Sequence, residues 1–153
     1  MQRRQSSPLK FFIPLIGVAA IISVLIFIFV PTQAKQAKNL VDSFYMQEQK
    51  ADYDSSWKLF HPEMKKRFSQ KDYIQDRIHT FMGHFGADTF TYSLTKPNKI
   101  VDWKMTNDSD PIEVYEIIVT KEYKAKYGHF QFVQYVYVSF KDKEPGILWD
   151  FKE

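Results

Sequence analysis

Residues Phe11 to Val30 run for twenty positions without one charged side chain. As a helix rising ~1.5 Å per residue, such a run spans roughly 30 Å, the thickness of a bilayer's hydrocarbon core. Only a helix lets it satisfy its own backbone polar groups in lipid. Fifteen of the twenty are Phe, Ile, Leu or Val, and their summed insertion free energy is on the order of −5 kcal/mol. Pro14 falls in the first turn, where its missing N–H costs little. Arg3, Arg4 and Lys10 precede the run with no acidic residue among them, while residues 31–34 after it are uncharged. That asymmetry places the N-terminus in the cytoplasm and the C-terminal part outside. The competing reading is a cleaved signal peptide, with Thr32-Gln33-Ala34 as a small-residue cleavage site. A signal's apolar region is usually about 7–15 residues, so length favours an anchor. The expected organisation is a cytoplasmic basic tail over residues 1–10, a membrane-spanning helix over residues 11–30 and an extracytoplasmic domain over residues 31–153.

The outer segment is long enough for one compact domain with its own core. Removing Arg3, Arg4 and Lys10 leaves 18 basic against 18 acidic side chains beyond the run. The pI near 8.9 therefore belongs to the membrane flank, which faces anionic lipid heads, and does not argue for nucleic acid. Zero cysteines exclude disulfides, thiolate metal sites, a cysteine nucleophile and lipoprotein attachment. A cysteine-free exported domain suits a bacterial cell envelope.

Apolar spacing of three and four predicts a first helix from about Thr32 to Lys50, with Ala37, Leu40, Val41, Phe44 and Tyr45 on one stripe. A short helix follows over Asp54–Phe60, capped by Asp54, and His61-Pro62 ends it. Lys65, Lys66 and Arg67 are read as a loop. Ser69-Gln70-Lys71-Asp72 resembles a capping box and opens a third helix carrying Ile74, Ile78, Phe81, Met82 and Phe85. From Thr89 the period changes to two. Strands are expected at Thr89–Lys96, Lys99–Met105, Ile112–Lys124, His129–Lys141 and Ile147–Phe151, paired in sequence order as an antiparallel meander bent around the helices. Helices first and strands afterwards read as α+β.

This layout resembles the nuclear-transport-factor-2-like superfamily, the cystatin-like α+β cone. The carriers are the long first helix and the stretch KADYDSSWKLFHPEMKKRFSQKDYIQDR, followed only by strands. The resemblance implies a bent sheet wrapped around the long helix, leaving a conical pocket. It covers enzymes such as ketosteroid isomerases, scytalone dehydratases and limonene epoxide hydrolases. It also covers non-catalytic membrane-anchored assembly factors of secretion and conjugation machines, and the N-terminal domains of certain penicillin-binding proteins. The fold alone does not choose among them.

The residues themselves carry no catalytic signature. An isomerase-like site needs a carboxylate base in an apolar pocket opposite a proton donor. Asp102 and Asp150 alternate with apolar neighbours and point away. Glu116 shares a face with Val114 and Ile118, and lies either inside with Gln134 or on the outer face. His61, His79, His84 and His129 lack metal-ligand spacing, and Asn107-Asp108-Ser109-Asp110 reads as a polar hairpin turn rather than a calcium loop. Lys121, Lys124 and Lys126, interleaved with Tyr123 and Tyr127, form a basic-aromatic ridge at a strand end. No metal and no cofactor is expected. The pocket implied by the resemblance would be lined by Tyr45, Trp57, Phe81, Glu116, Gln134 and Trp149. The expected function is a tethered binding or assembly module, without catalysis, for another membrane or envelope protein or for a second copy. The alternatives are a pocket for a small apolar or lipid-like ligand and, third, an isomerase- or dehydratase-like enzyme.

Overall fold

A computed structural model describes residues 31–84, 86–87, 89–142 and 144–152, with no account of the side chains of Phe81, Met82 and His84. The apolar run at residues 11–30 lies outside the described residues. Among those described, no helix is long and apolar enough to cross a membrane. Gln33–Glu153 cluster as one compact unit of α+β class, with helices first and one antiparallel sheet after them.

Helix α1 (Gln33–Gln49) buries Ala37, Val41, Phe44, Tyr45 and Glu48, a stripe at helical spacing that ends on a carboxylate. The helix stops at Ala51, whose φ of 58° is left-handed. Asp52 N donates to Gln47 O and Ala51 N to Glu48 O, so the last carbonyls are capped in the Schellman pattern. The chain re-enters α2 (Tyr53–Lys58) one residue earlier than the sequence suggested. Asp52, not Asp54, is the cap, its carboxylate accepting the Ser55 N–H at 3.2 Å. Asp54 instead pairs with Lys58 in the first turn.

His61-Pro62 ends one helix and starts another. The segment expected to be a loop around Lys65, Lys66 and Arg67 is helix α3 (Pro62–Arg67). Proline is at home at a first helical position because its absent N–H has no partner there anyway, and His61 Nδ1 accepts the Glu63 N–H at 3.2 Å. Helix α4 (Gln70–Arg77) opens on Ser69 as expected, with Ser69 Oγ accepting the Asp72 N–H. It then widens into a π-helical turn over Ile78–His84. Ile78 is accordingly 46% exposed rather than on a continuous apolar stripe. Phe85 lies outside the described residues.

The five strands are β1 (Phe90–Leu94), β2 (Asn98–Trp103), β3 (Ile112–Ala125), β4 (Gly128–Ser139) and β5 (Gly146–Leu148), the last shorter than expected. The meander fails at its first step. β1 and β2 do not pair with each other; both lie along one edge of the 14-residue β3, β1 on Val119–Tyr123 and β2 on Ile112–Glu116. β4 takes the other edge of β3, and β5 pairs with Tyr137–Ser139 of β4. A long central strand makes this possible, since it offers two short strands separate stretches of one edge. An irregularity between Ile100 and Trp103 breaks the alternation of β2. Val101 is exposed while Trp103 is buried.

Helix α1 lies on one face of the sheet. Ile117, Val119, Lys121 and Tyr123 of β3 and Val136 and Val138 of β4 are buried there. Around Phe60 the aromatic rings of Phe44, Phe68, Tyr73 and Trp149 pack edge-on at centroid distances of 4.9–5.4 Å, the geometry favoured by ring quadrupoles. On the opposite face Trp103 and Tyr137 lie 4.4 Å apart, buried with Val114 and Leu148.

Candidate functional site

Among the described residues, the interior between α1 and the sheet holds three charged side chains that the apolar pattern alone would not place there. Glu48 ends the buried stripe of α1 and is 6% exposed. Its Oε1 accepts from Ser56 Oγ at 2.8 Å and from the Tyr73 hydroxyl. Its Oε2 lies 3.2 Å from Arg77 Nε. The Arg77 guanidinium spreads over the rings of Tyr73 and Trp149, at 5.1 and 5.2 Å. Burial opposes the Arg77 charge, but Glu48 and then Tyr73 outweigh it and raise its pKa. Each carboxylate oxygen of Glu48 is thus engaged, as a buried charge requires.

Lys121 approaches from β3. Alternation turns it inward between Val119 and Tyr123, and it is 5% exposed. Its Nζ lies 3.3 Å from Gln134 Oε1 and 5.6 Å from the Tyr45 ring. The Tyr45 hydroxyl donates to the same Gln134 oxygen at 2.9 Å. The basic-aromatic ridge expected at this strand end is therefore divided: Lys121 and Tyr123 are interior, while Lys124, Lys126 and Tyr127 are exposed.

Burial lowers the Lys121 pKa to about 8, with Arg77 pushing the same way and Glu48 opposing. An unfolded lysine holds its proton to about 10.5. Between those values the unfolded chain binds more protons, so stability rises with pH. Tyr45, Tyr73 and Tyr123 act in the opposite sense above about pH 10. Burial raises their pKa values, so the unfolded phenols ionise first. We expect the urea-unfolding free energy to increase by about 1–2 kcal/mol from pH 8 to 9.5. The increase should be absent in Lys121→Met; an equal increase in that variant would assign the titration to another group.

The expected pocket residues divide as follows. Tyr45 and Gln134 meet directly. Gln134 and Trp149, without Tyr45, line a 310 Å³ cavity together with Phe68, Tyr73, Asp76, Arg77 and Thr80. Trp57 is elsewhere, with Lys65 Nζ 5.2 Å over its ring. Glu116 pairs across the strands with Asn98 and Tyr137, on the sheet face away from α1, so it does not join Gln134. The Phe81 side chain is not among those described. Tyr45 and Phe44 are fully buried with ring centroids 5.1 Å apart, and these rings occupy the interior themselves.

A second polar cleft, of 520 Å³, lies between α3 and the loops after β2 and β4, lined among others by His61, Lys66, Ser109, Lys141 and Asp142. His61 Nε2 is 2.9 Å from Asp142 Oδ2, within ion-pair range but off the line of a hydrogen bond. Burial lowers the His61 pKa, with Asp142 opposing. The neutral ring, accepting at Nδ1 from Glu63 N, is the form this site favours. Among the described residues no cluster of three metal-ligating side chains occurs.

No family model, no curated protein and no solved structure matches the chain.

Proposed function

We propose that the chain is a single-pass membrane protein whose residues 11–30 span the bilayer and whose outer α+β domain binds another envelope protein without catalysis. The observation that carries this reading is the state of Glu48. A catalytic base needs a free lone pair aimed at substrate. Glu48 instead spends both oxygens on Arg77, Tyr73 and Ser56, and the buried rings of Phe44, Tyr45 and Phe60 take up interior space around α1. In this reading the domain is a nuclear-transport-factor-2-like cone whose cavity has been converted to scaffold, leaving its surfaces to act. The apolar run at residues 11–30, read as an anchor, fits this reading, since tethering raises the effective concentration toward other membrane proteins and benefits assembly more than turnover of a diffusible metabolite.

The test is photo-crosslinking of the full chain in intact cells. A photoreactive residue replaces Ile78 or Tyr127, which are 46% and 72% exposed. The expected result is a discrete adduct with one other envelope protein. Adducts only with lipid, or none at either position, would overturn the reading. Adducts between two copies of the chain do not count here.

A further inference from the structure

Among the described residues, most of one side of the β4 backbone has no strand paired to it. β5 reaches only Tyr137–Ser139, and no other strand of the described residues pairs beyond it. Which residues face that side follows from β3. Thr95 N donates to Ile118 O at 3.1 Å, and Ile118 N donates to Thr95 Oγ1 at 2.9 Å. Ile118 therefore aims both backbone groups away from β4. Opposed residues in an antiparallel ladder alternate between exchanging two hydrogen bonds and exchanging none. Ile118 stands opposite Tyr135, so this pair exchanges none and Tyr135 turns its N–H and C=O to the open side. By the same alternation Val133, Gln131 and His129 do so too. Tyr137 has the same phase, and it is there that β4 meets Leu148 of β5.

Such an edge is a template for another strand, and monomeric proteins blunt theirs with charged side chains, proline or a bulge. β4 has none of these devices. Its 12 residues, GHFQFVQYVYVS, include no Asp, Glu, Lys, Arg or Pro, and it pairs with β3 residue for residue without a break. Val133 and Tyr135 are 57% and 51% exposed, and His129 and Gln131 are exposed as well.

We infer that this edge pairs with the same edge of a second copy, antiparallel, to make one continuous sheet across two chains. An uncharged edge offers no attraction to a charged peptide strand, whereas its own copy matches it in length, neutrality and side chains. A two-fold axis at Phe132 sets His129 against Tyr135 of the second copy and Gln131 against Val133. All four outward residues on each copy are then used, exchanging about eight backbone hydrogen bonds. The interface is isologous and closes at two chains.

The open direction of the Val133 N–H gives a selective test. Val133→Pro removes a donor that β3 does not use, so the fold keeps its ladder while the edge is blocked. Val133→Lys charges the same edge without touching the backbone. The full chain in detergent micelles is measured by sedimentation velocity over a concentration series, with circular dichroism reporting the fold. The expected result is a dimer whose dissociation constant rises more than about tenfold in Val133→Pro, and rises also in Val133→Lys. A wild-type chain that stays monomeric throughout overturns the inference. So does a dimer that either folded variant leaves intact, which would place the contact elsewhere, the apolar run included. If Val133→Pro fails to fold, Val133→Lys decides.

Discussion

Glu48→Gln is expected to destabilise the outer domain by about 3–5 kcal/mol. The glutamine keeps the volume and can still accept from Tyr73 and Ser56. What it removes is the charge opposite Arg77, whose side chain is only 13% exposed. Stripping one partner from a buried pair leaves the other desolvated and uncompensated, and that residual charge accounts for most of the loss. The expectation extends to the pair. Glu48→Gln combined with Arg77→Met removes both charges, and the combined loss should be smaller than that of Glu48→Gln alone. Urea unfolding of the four chains measures the coupling. Additive losses would mean that Glu48 and Arg77 do not act as a unit.

The second large effect concerns a close approach of two backbones. β5 runs beside the end of α2, where Ile147 N donates to Leu59 O at 3.0 Å and His61 N donates to Ile147 O at 2.9 Å, forming a parallel bridge between Phe60 and Ile147. Gly146 precedes that bridge. A Cβ added there would lie 2.6 Å from His61 Cα and 2.8 Å from His61 N. These are backbone atoms, which no rotamer change can move aside. Gly146→Ala must push the strand off the helix end, straining both hydrogen bonds and loosening the packing of Phe60 against Trp149. A loss of about 2–3 kcal/mol is expected, read from denaturant unfolding. A variant as stable as the wild type would show that β5 has room to shift.

The elements were legible where one physical pattern governs a long stretch. The stripe from Ala37 to Tyr45 gave α1 nearly to the residue, and the change to a period of two at Thr89 marked the start of the sheet. Boundaries failed where two signals compete. Asp52 and Asp54 are both good caps, and the left-handed Ala51 set the register that chose Asp52. His61-Pro62 carries a stop and a start in the same dipeptide, a residue disfavoured for helix followed by a proline suited to a first helical position. Pairing order was not readable at all for β1 and β2. It depends on β3 being long enough to hold both on one edge, and no local propensity encodes that.

The candidate site is less legible because apolar periodicity marks only the apolar positions of the interior. Apolar spacing leads to Tyr45, whose hydroxyl meets Gln134. It does not lead to Glu48, Arg77 and Lys121, although each carries a signal. Glu48 continues the Ala37, Val41, Phe44 stripe by one more helical step. Arg77 follows Tyr73 by four residues, and Lys121 sits in phase with Val119 and Tyr123. A charged residue in phase with a buried stripe needs a polar partner inside: Glu48 and Arg77 have each other, and Lys121 has Gln134. Glu116 was misleading for the complementary reason. Its neighbour Val114 is buried, but against the layer of Trp103 and Tyr137, so burial did not identify the face toward α1.

In the function proposed above, the interior charges build the fold and binding takes place on the surface. The double variant Glu48→Gln/Arg77→Met separates these roles, because it empties the interior of its ion pair while leaving the exposed positions unaltered. Photo-crosslinking of that folded variant in intact cells should give the same envelope-protein adduct, in the same yield, as the wild-type chain. A variant that folds but no longer forms the adduct would contradict the account and place the binding site at the interior ion pair.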